Sequence, residues 1–217
     1  MDIRLILVQA FVILFAITIH EAAHAWTASK FGDPTAAALG RASLNPLVHI
    51  DPIGTIIFPL VLILLTRGAG PVFGWAKPVP YNPYNLRHPK RGGLWISFAG
   101  PISNILTSAA AVILFQVLKL ASAGLPETSF LIKPLIGVGT ILYATALINV
   151  SLAVFNLIPI PPLDGSGILS GLLSDAAAAK YERIRPYGFI ILLLLMYSRI
   201  PNLIFTPILR LIGRLFS

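Results

Sequence analysis

His20, Glu21 and His24 stand together as His20-Glu21-Ala22-Ala23-His24 inside a run, 5–26, that is otherwise almost wholly apolar. On a helix, residues i and i+4 share a face, so the two imidazoles point the same way. Imidazoles one turn apart can share a zinc ion, and a carboxylate beside the first can take a proton from water that the ion acidifies. Ionisable groups inside an apolar run are costly at membrane depth and are read as functional. The competing reading is two buried histidines bonded to backbone with Glu21 paired to one of them. It leaves three neighbouring polar groups without a task.

A catalytic zinc site takes three protein ligands and keeps an open position. The chain has no cysteine, so the third ligand must be His, Asp or Glu. His49, Asp51, His88 and Asp164 are the main candidates. His49 and His88 fall in loop sequence, and Asp51 precedes Pro52 as a turn or cap residue. Asp164 follows a long apolar run and prolines that unwind a helix, so its carboxylate can face the histidines at similar depth. Its other reading is the N-cap of a helix starting near Ser166.

The elements that must position these groups are those of a membrane protein. Of the 217 residues, 56% are hydrophobic and 11% charged, with mean hydropathy +0.85, whereas a soluble domain carries about 25% charged residues. The expected fold is an all-α integral membrane protein, a polytopic helical bundle forming a single membrane-embedded domain over 1–217. Helices are predicted over 3–29, 92–120 and 134–157, with a short one over 168–173. The run 187–197 continues into an apolar tail bearing Arg210 and Arg214, read as one span plus an interfacial helix or as two short crossings. The apolar stretch 53–66 is shorter than the ~20 residues a span requires. It is either a tilted span or a segment that enters and leaves on one side. Gly74-Trp75-Ala76-Lys77-Pro78-Val79-Pro80 resists helix and central strand because its prolines lack donors, leaving an edge strand or hairpin. The opening Met1-Asp2-Ile3-Arg4 imitates a signal peptide, but the apolar run is long and His20-Glu21 falls where cleavage belongs, so a retained helix is expected.

Sixteen Lys and Arg against eight Asp and Glu give a net charge of +8. No basic-aromatic module accompanies it, so nucleic acid is not expected as a partner. Basic loops beside anionic lipid are. The 67–91 stretch holds Arg67, Lys77, Arg87, Lys90 and Arg91 with no acid, while 119–133 holds Lys119 and Lys133 against Glu127. The first loop is therefore expected in the cytoplasm and the second outside. The first helix then runs inward and carries His20 and His24 toward the cytoplasmic face, provided that 53–66 makes no net crossing.

His20-Glu21-x-x-His24, followed far downstream by Asn156-x-x-Pro159-x-x-x-x-Asp164-Gly165, strongly resembles the site-2 protease family of intramembrane zinc metalloproteases. The 74–80 segment is similar to the family's loop near a small membrane-embedded β-hairpin. Gly100-Pro101-Ile102-Ser103-Asn104 resembles the signature opening the next core helix. The matches extend from about residue 17 to 170.

The resemblance implies Zn2+ as cofactor, held by His20, His24 and Asp164, with Glu21 as general base. It implies that Asn156 donates an amide hydrogen to the substrate carbonyl or its oxyanion, and it leaves Asn104 either that role or a structural one. The implied substrates are transmembrane proteins in the lipid bilayer. The implied location is the cell membrane, multi-pass, with the active site toward the cytoplasm. The 121–133 loop is too short for a PDZ-like insertion and too few residues follow the last span for a CBS module, so a minimal member is expected. The expected reaction is hydrolysis of a peptide bond in an unwound transmembrane segment held by strand addition. Its rivals are a membrane zinc carrier or sensor, which needs a polar conduit, and a non-catalytic scaffold on a protease-like fold.

Overall fold

In lipid, backbone donors and acceptors must be satisfied within the segment, so an apolar chain of this kind folds as helices. The computed structural model describes residues 3–66, 74–126 and 128–217; Arg67 and Glu127, which enter the charge pattern, lie outside the described residues. The first helix, α1 (Ile3–Lys30), contains the paired histidines. It ends in a Schellman-type turn: Asp33 N donates to Ala28 O (2.9 Å) and Gly32 N to Ser29 O (3.1 Å), with Gly32 at φ +106°. That left-handed conformation favours glycine.

The connection that follows returns to the end from which it starts. It includes the short α2 (Thr35–Ala38), a 3-10 turn at Pro46–Val48, and a π-helical stretch, Pro52–Ile57, that continues into α3 (Phe58–Thr66). Asp51 caps this stretch by accepting from Ile53 N (2.9 Å) and Gly54 N (2.7 Å). The chain then comes back beside Gly54: Trp75 N donates to Gly54 O (3.1 Å), and Thr55 Oγ1 donates to Trp75 O (2.9 Å). Further on, Arg87 N donates to Phe31 O (3.1 Å), while Asn82 N and Asn85 Nδ2 donate to the buried Asp33 carboxylate (2.7 and 2.8 Å). The end of α1 and the start of the next long helix thus share one end of the bundle. The 53–66 stretch makes no net crossing.

The expected β-hairpin is not seen: among the described residues no strand forms, and 74–80 is extended but unladdered. Trp75 N, Lys77 N and Val79 N are spent on Gly54 O, His49 O and Glu21 Oε2 respectively. Pro78 and Pro80 have no N–H to give a partner strand.

The long helices α4 (Pro89–Ser122) and α5 (Ile132–Asn156) complete the core with α1. Val12, Ala16, His20, His24 and Ala28 are buried at four-residue spacing on α1, and Gly92, Ile96, Gly100, Asn104 and Ser108 likewise on α4. Mostly small residues along these stripes let the backbones approach closely. After a turn containing the cis Pro161–Pro162 bond come α6 (Asp164–Leu172), packed on α4, and α7 (Asp175–Glu182). The apolar tail forms α8 (Gly188–Tyr197) and α9 (Ile200–Leu215), and α9 lies against α5. Among the described residues three helices, α1, α4 and α5, are long and apolar enough to cross a bilayer; the tail, bent by 65° ahead of α9, is a fourth candidate span.

Candidate metal centre

Two long helices and one short one bring the centre together. His20 and His24 stand one turn apart on α1 with ring centroids 4.6 Å apart. Asp164 opens α6, whose N-cap position is Leu163. Asp164 is thus already the first helical residue, so the N-cap reading does not hold. Instead Asp164 Oδ2 lies 3.0 Å from His20 Nε2, and Oδ1 lies 3.4 Å from His24 Nε2. One ligand atom from each residue lies within 4.8 Å of the others.

Hydrogen bonding fixes what these atoms can offer. His24 Nδ1 approaches Ile96 O at 2.6 Å. A carbonyl only accepts, so Nδ1 carries a proton, and in the neutral ring Nε2 keeps a lone pair. His20 Nδ1 approaches Asn104 Oδ1 at 2.6 Å, while Asn104 Nδ2 donates to Ala16 O (3.2 Å) and Asn149 Oδ1 (2.8 Å). The amide orientation therefore makes His20 Nδ1 a donor as well. In the neutral rings both Nε2 atoms turn lone pairs toward the Asp164 carboxylate, whose buried Oδ2 accepts no hydrogen bond. Acceptors crowded together without a proton are costly when buried, and a cation removes the cost. Zinc ligands about 2.0–2.1 Å from one tetrahedral ion sit about 3.3 Å apart; the two carboxylate–imidazole separations bracket that value.

Gly100 makes the arrangement possible. A Cβ there would lie 2.5 Å from His20 Cε1 and His24 Nε2. Only a bare backbone at this turn of α4 lets both imidazoles sit against the helix.

Glu21 is half-buried on the adjoining face of α1, and its Oε2 accepts from Val79 N at 3.3 Å. Asn156 is the last residue of α5, and its Nδ2 donates to Leu152 O (3.0 Å) within its own helix. The other third-ligand candidates do not join the group. His49 is buried with Nε2 bonded to Ser43 O (2.8 Å), Asp51 is the cap described above, and the exposed His88 precedes α4. Sequence reasoning missed Asn149. Its signal was a lone amide in the apolar stretch Ala146-Leu147-Ile148-Asn149-Val150, where a polar side chain needs a partner.

The profile of peptidase family M50 matches residues 8–197. The chain belongs to peptidase family M50. Among its relatives is YwhC of Bacillus subtilis (strain 168), whose name provisionally assigns it as a zinc metalloprotease. The two are 36% identical over 197 residues, 91% of this chain and 83% of that protein. The similarly named Rip2 of Mycolicibacterium smegmatis (strain ATCC 700084 / mc(2)155) is 29% identical over 85% of this chain, which spans 64% of Rip2's length. A Methanocaldococcus jannaschii zinc metalloprotease, MJ0392, is 34% identical over 86 residues, 40% of this chain and 21% of its own. No solved structure matches. As an M50 peptidase the chain is a multi-pass intramembrane zinc metalloprotease with zinc as its cofactor, acting on membrane proteins in the bilayer.

Proposed function

We propose that this M50 peptidase holds its zinc with His20, His24 and Asp164, uses Glu21 as general base, and hydrolyses peptide bonds within or near transmembrane segments. The observation that carries the reading is the convergence of two imidazole Nε2 atoms on one carboxylate at 3.0 and 3.4 Å, with both Nδ1 atoms held by acceptors. When bound there, zinc supplies Lewis acidity, polarising an amide carbonyl and acidifying water. Glu21 accepts the proton of the attacking water and returns it to the amine nitrogen as the C–N bond breaks. The Val79 bond occupies one of its oxygens and leaves the other for that task. Asn156, on turning from Leu152 O, donates its amide hydrogen to the oxyanion.

A substrate helix must unwind before its carbonyls are reachable. The extended 74–80 segment supports the strand-addition reading, since its outward carbonyls can accept from an unwound chain. The shared end of α1 and α4 carries Lys30, Arg41, Lys77, Arg87, Lys90 and Arg91, which favours the cytoplasmic side for the centre. The packing of α6 on α4 and of α9 on α5 favours one domain throughout.

The test is to incubate the purified full chain, with and without a zinc chelator, with a panel of single-span membrane proteins, mapping products by mass spectrometry. Chelator-sensitive cuts inside a span are expected. Their absence across the panel would overturn the proposal.

A further inference from the structure

We propose that Asn149 is a positioning residue for the metal centre: through Asn104 it fixes the tautomer of His20 so that Nε2 faces the metal unprotonated. The inference rests on the zinc-binding role proposed above for His20.

The relay runs through three helices. Asn149 on α5 and Asn104 on α4 are both fully buried. Asn149 Nδ2 donates to Thr145 O at 2.9 Å, and Asn149 Oδ1 accepts from Asn104 Nδ2 at 2.8 Å. Asn104 Nδ2 also donates to Ala16 O at 3.2 Å, and Asn104 Oδ1 faces His20 Nδ1 at 2.6 Å.

Only one assignment of donors satisfies every link. Thr145 O and Ala16 O are carbonyls and can only accept. Turning Asn149 over would set its oxygen against Thr145 O. Turning Asn104 over would set its oxygen against both Ala16 O and Asn149 Oδ1. The two amides therefore lock each other, and the last acceptor in line leaves His20 Nδ1 no choice but to donate. A proton is held on Nδ1, and in the neutral ring Nε2 is left free for a metal. Outer-shell partners of metal-bound histidines act in this way, on the ring nitrogen that the metal does not use. Here the decisive partner is two hydrogen bonds from the ring, on a helix that carries neither histidine. In a low-dielectric interior such a chain strengthens cooperatively when every member is satisfied.

Asn149→Leu removes one of the two acceptors that orient Asn104. The amide can then turn over and present its NH2 to Nδ1, moving the ring proton to Nε2, where it blocks the metal. Asn149→Asp as the neutral acid preserves the relay, since its carbonyl accepts from Asn104 and its hydroxyl donates to Thr145 O.

The experiment uses the detergent-purified full chain and two readouts. Zinc affinity is measured by competition with a chromogenic chelator, and ring-15N spectra of the metal-free protein give the tautomer, with His20 assigned by difference against His20→Gln. In the wild type His20 is expected as the Nδ1–H tautomer. Asn149→Leu should weaken zinc binding by on the order of 10–100-fold, and Asn149→Asp should keep the wild-type affinity. Unchanged affinity in Asn149→Leu, even with lowered thermal stability, overturns the proposal. So does an Nε2–H tautomer in the wild type, a result that stands even if the leucine variant does not fold. A wild type that binds no zinc would instead overturn the metal reading itself, while the spectrum still decides the relay.

Discussion

The backbone amide of Val79 donates to the carboxylate of Glu21 across 3.3 Å. The acid of the helical motif is thereby fastened to the extended segment that the sequence singled out for its prolines. Glu21 and Val79 are 58 residues apart in the chain, and their contact puts the surface proposed for an incoming peptide beside the group proposed to move its proton.

Glu21→Gln should keep zinc and lose cleavage. The amide retains an oxygen for the Val79 bond but cannot accept a proton at neutral pH. Turnover is expected to fall by about 10²–10⁴-fold, the usual worth of a general base, with zinc stoichiometry by elemental analysis unchanged. Full activity in this variant would remove Glu21 from the mechanism.

Asp164→Ala should lower bound zinc. It deletes the carboxylate that meets both Nε2 atoms and leaves two imidazoles where three ligands are needed. Metal content after dialysis against a weak chelator is the measurement. Wild-type stoichiometry would transfer the third ligand elsewhere.

Gly100→Ala tests the close approach of α4. Its methyl group would sit 2.5 Å from both histidines, so rings or helix must shift by several tenths of an ångström. Zinc affinity is expected to drop by on the order of tenfold or more, while the same change at Gly137, which meets nothing within 4 Å, should leave it intact. Equal affinities in the two variants would mean that the centre tolerates displacement.

Asp33 gives a pH-dependent prediction outside the spans. Burial pushes its carboxyl up, but bonds from Thr35, Asn85 and Asn82 outweigh burial and hold it at about 2 against an ordinary 3.8. A depressed carboxyl contributes stability above its unfolded pKa and loses it as pH falls through the folded one. The stability advantage of the wild type over Asp33→Asn should therefore be full above pH 4 and shrink between pH 4 and 2. Its full size should be on the order of 2 kcal/mol, as charge-assisted bonds give way to an amide that faces Asn82 N with the wrong group. Thermal melts of both proteins without zinc measure it; an advantage that does not change with pH would contradict it.

Because the chain has no cysteine, single introduced cysteines can report sidedness. Tyr84→Cys and Ser174→Cys should react with an impermeant maleimide from one face of the membrane, and Ala123→Cys from the other. Leu47→Cys, ahead of the excursion, should label from the same face as Tyr84→Cys; labelling of these two from opposite faces would mean that 53–66 crosses after all.

The histidine pair, its acid and the distant Asp164 were legible because each is a polar group that an apolar surrounding tolerates only with a partner. Long helices were legible for the same reason in reverse, and their ends fell within a few residues of expectation. The excursion over 53–66 was not, because length and hydropathy cannot distinguish a tilted span from a stretch that turns back. Its return is decided by two bonds that join Trp75 to Gly54 O and to the Thr55 side chain, between residues distant in the chain. The expected hairpin failed because proline content narrows what a segment can be without saying what its remaining amides will bond. Asn149 went unread because its partner, Asn104, lies on another helix, and a single amide does not announce its neighbour.

The extended 74–80 segment has turned three of its amides, on Trp75, Lys77 and Val79, toward the protein. By the alternation of an extended chain, its other edge presents the carbonyls of Ala76, Pro78 and Pro80 with one N–H among them. Such an edge can receive but hardly give. Two copies of the enzyme brought together at this edge would set oxygen against oxygen and could not zip into a shared sheet, whereas a guest chain still carrying its own amide hydrogens finds a ready row of acceptors. The prolines thus keep an open edge in a crowded membrane from closing on its own kind.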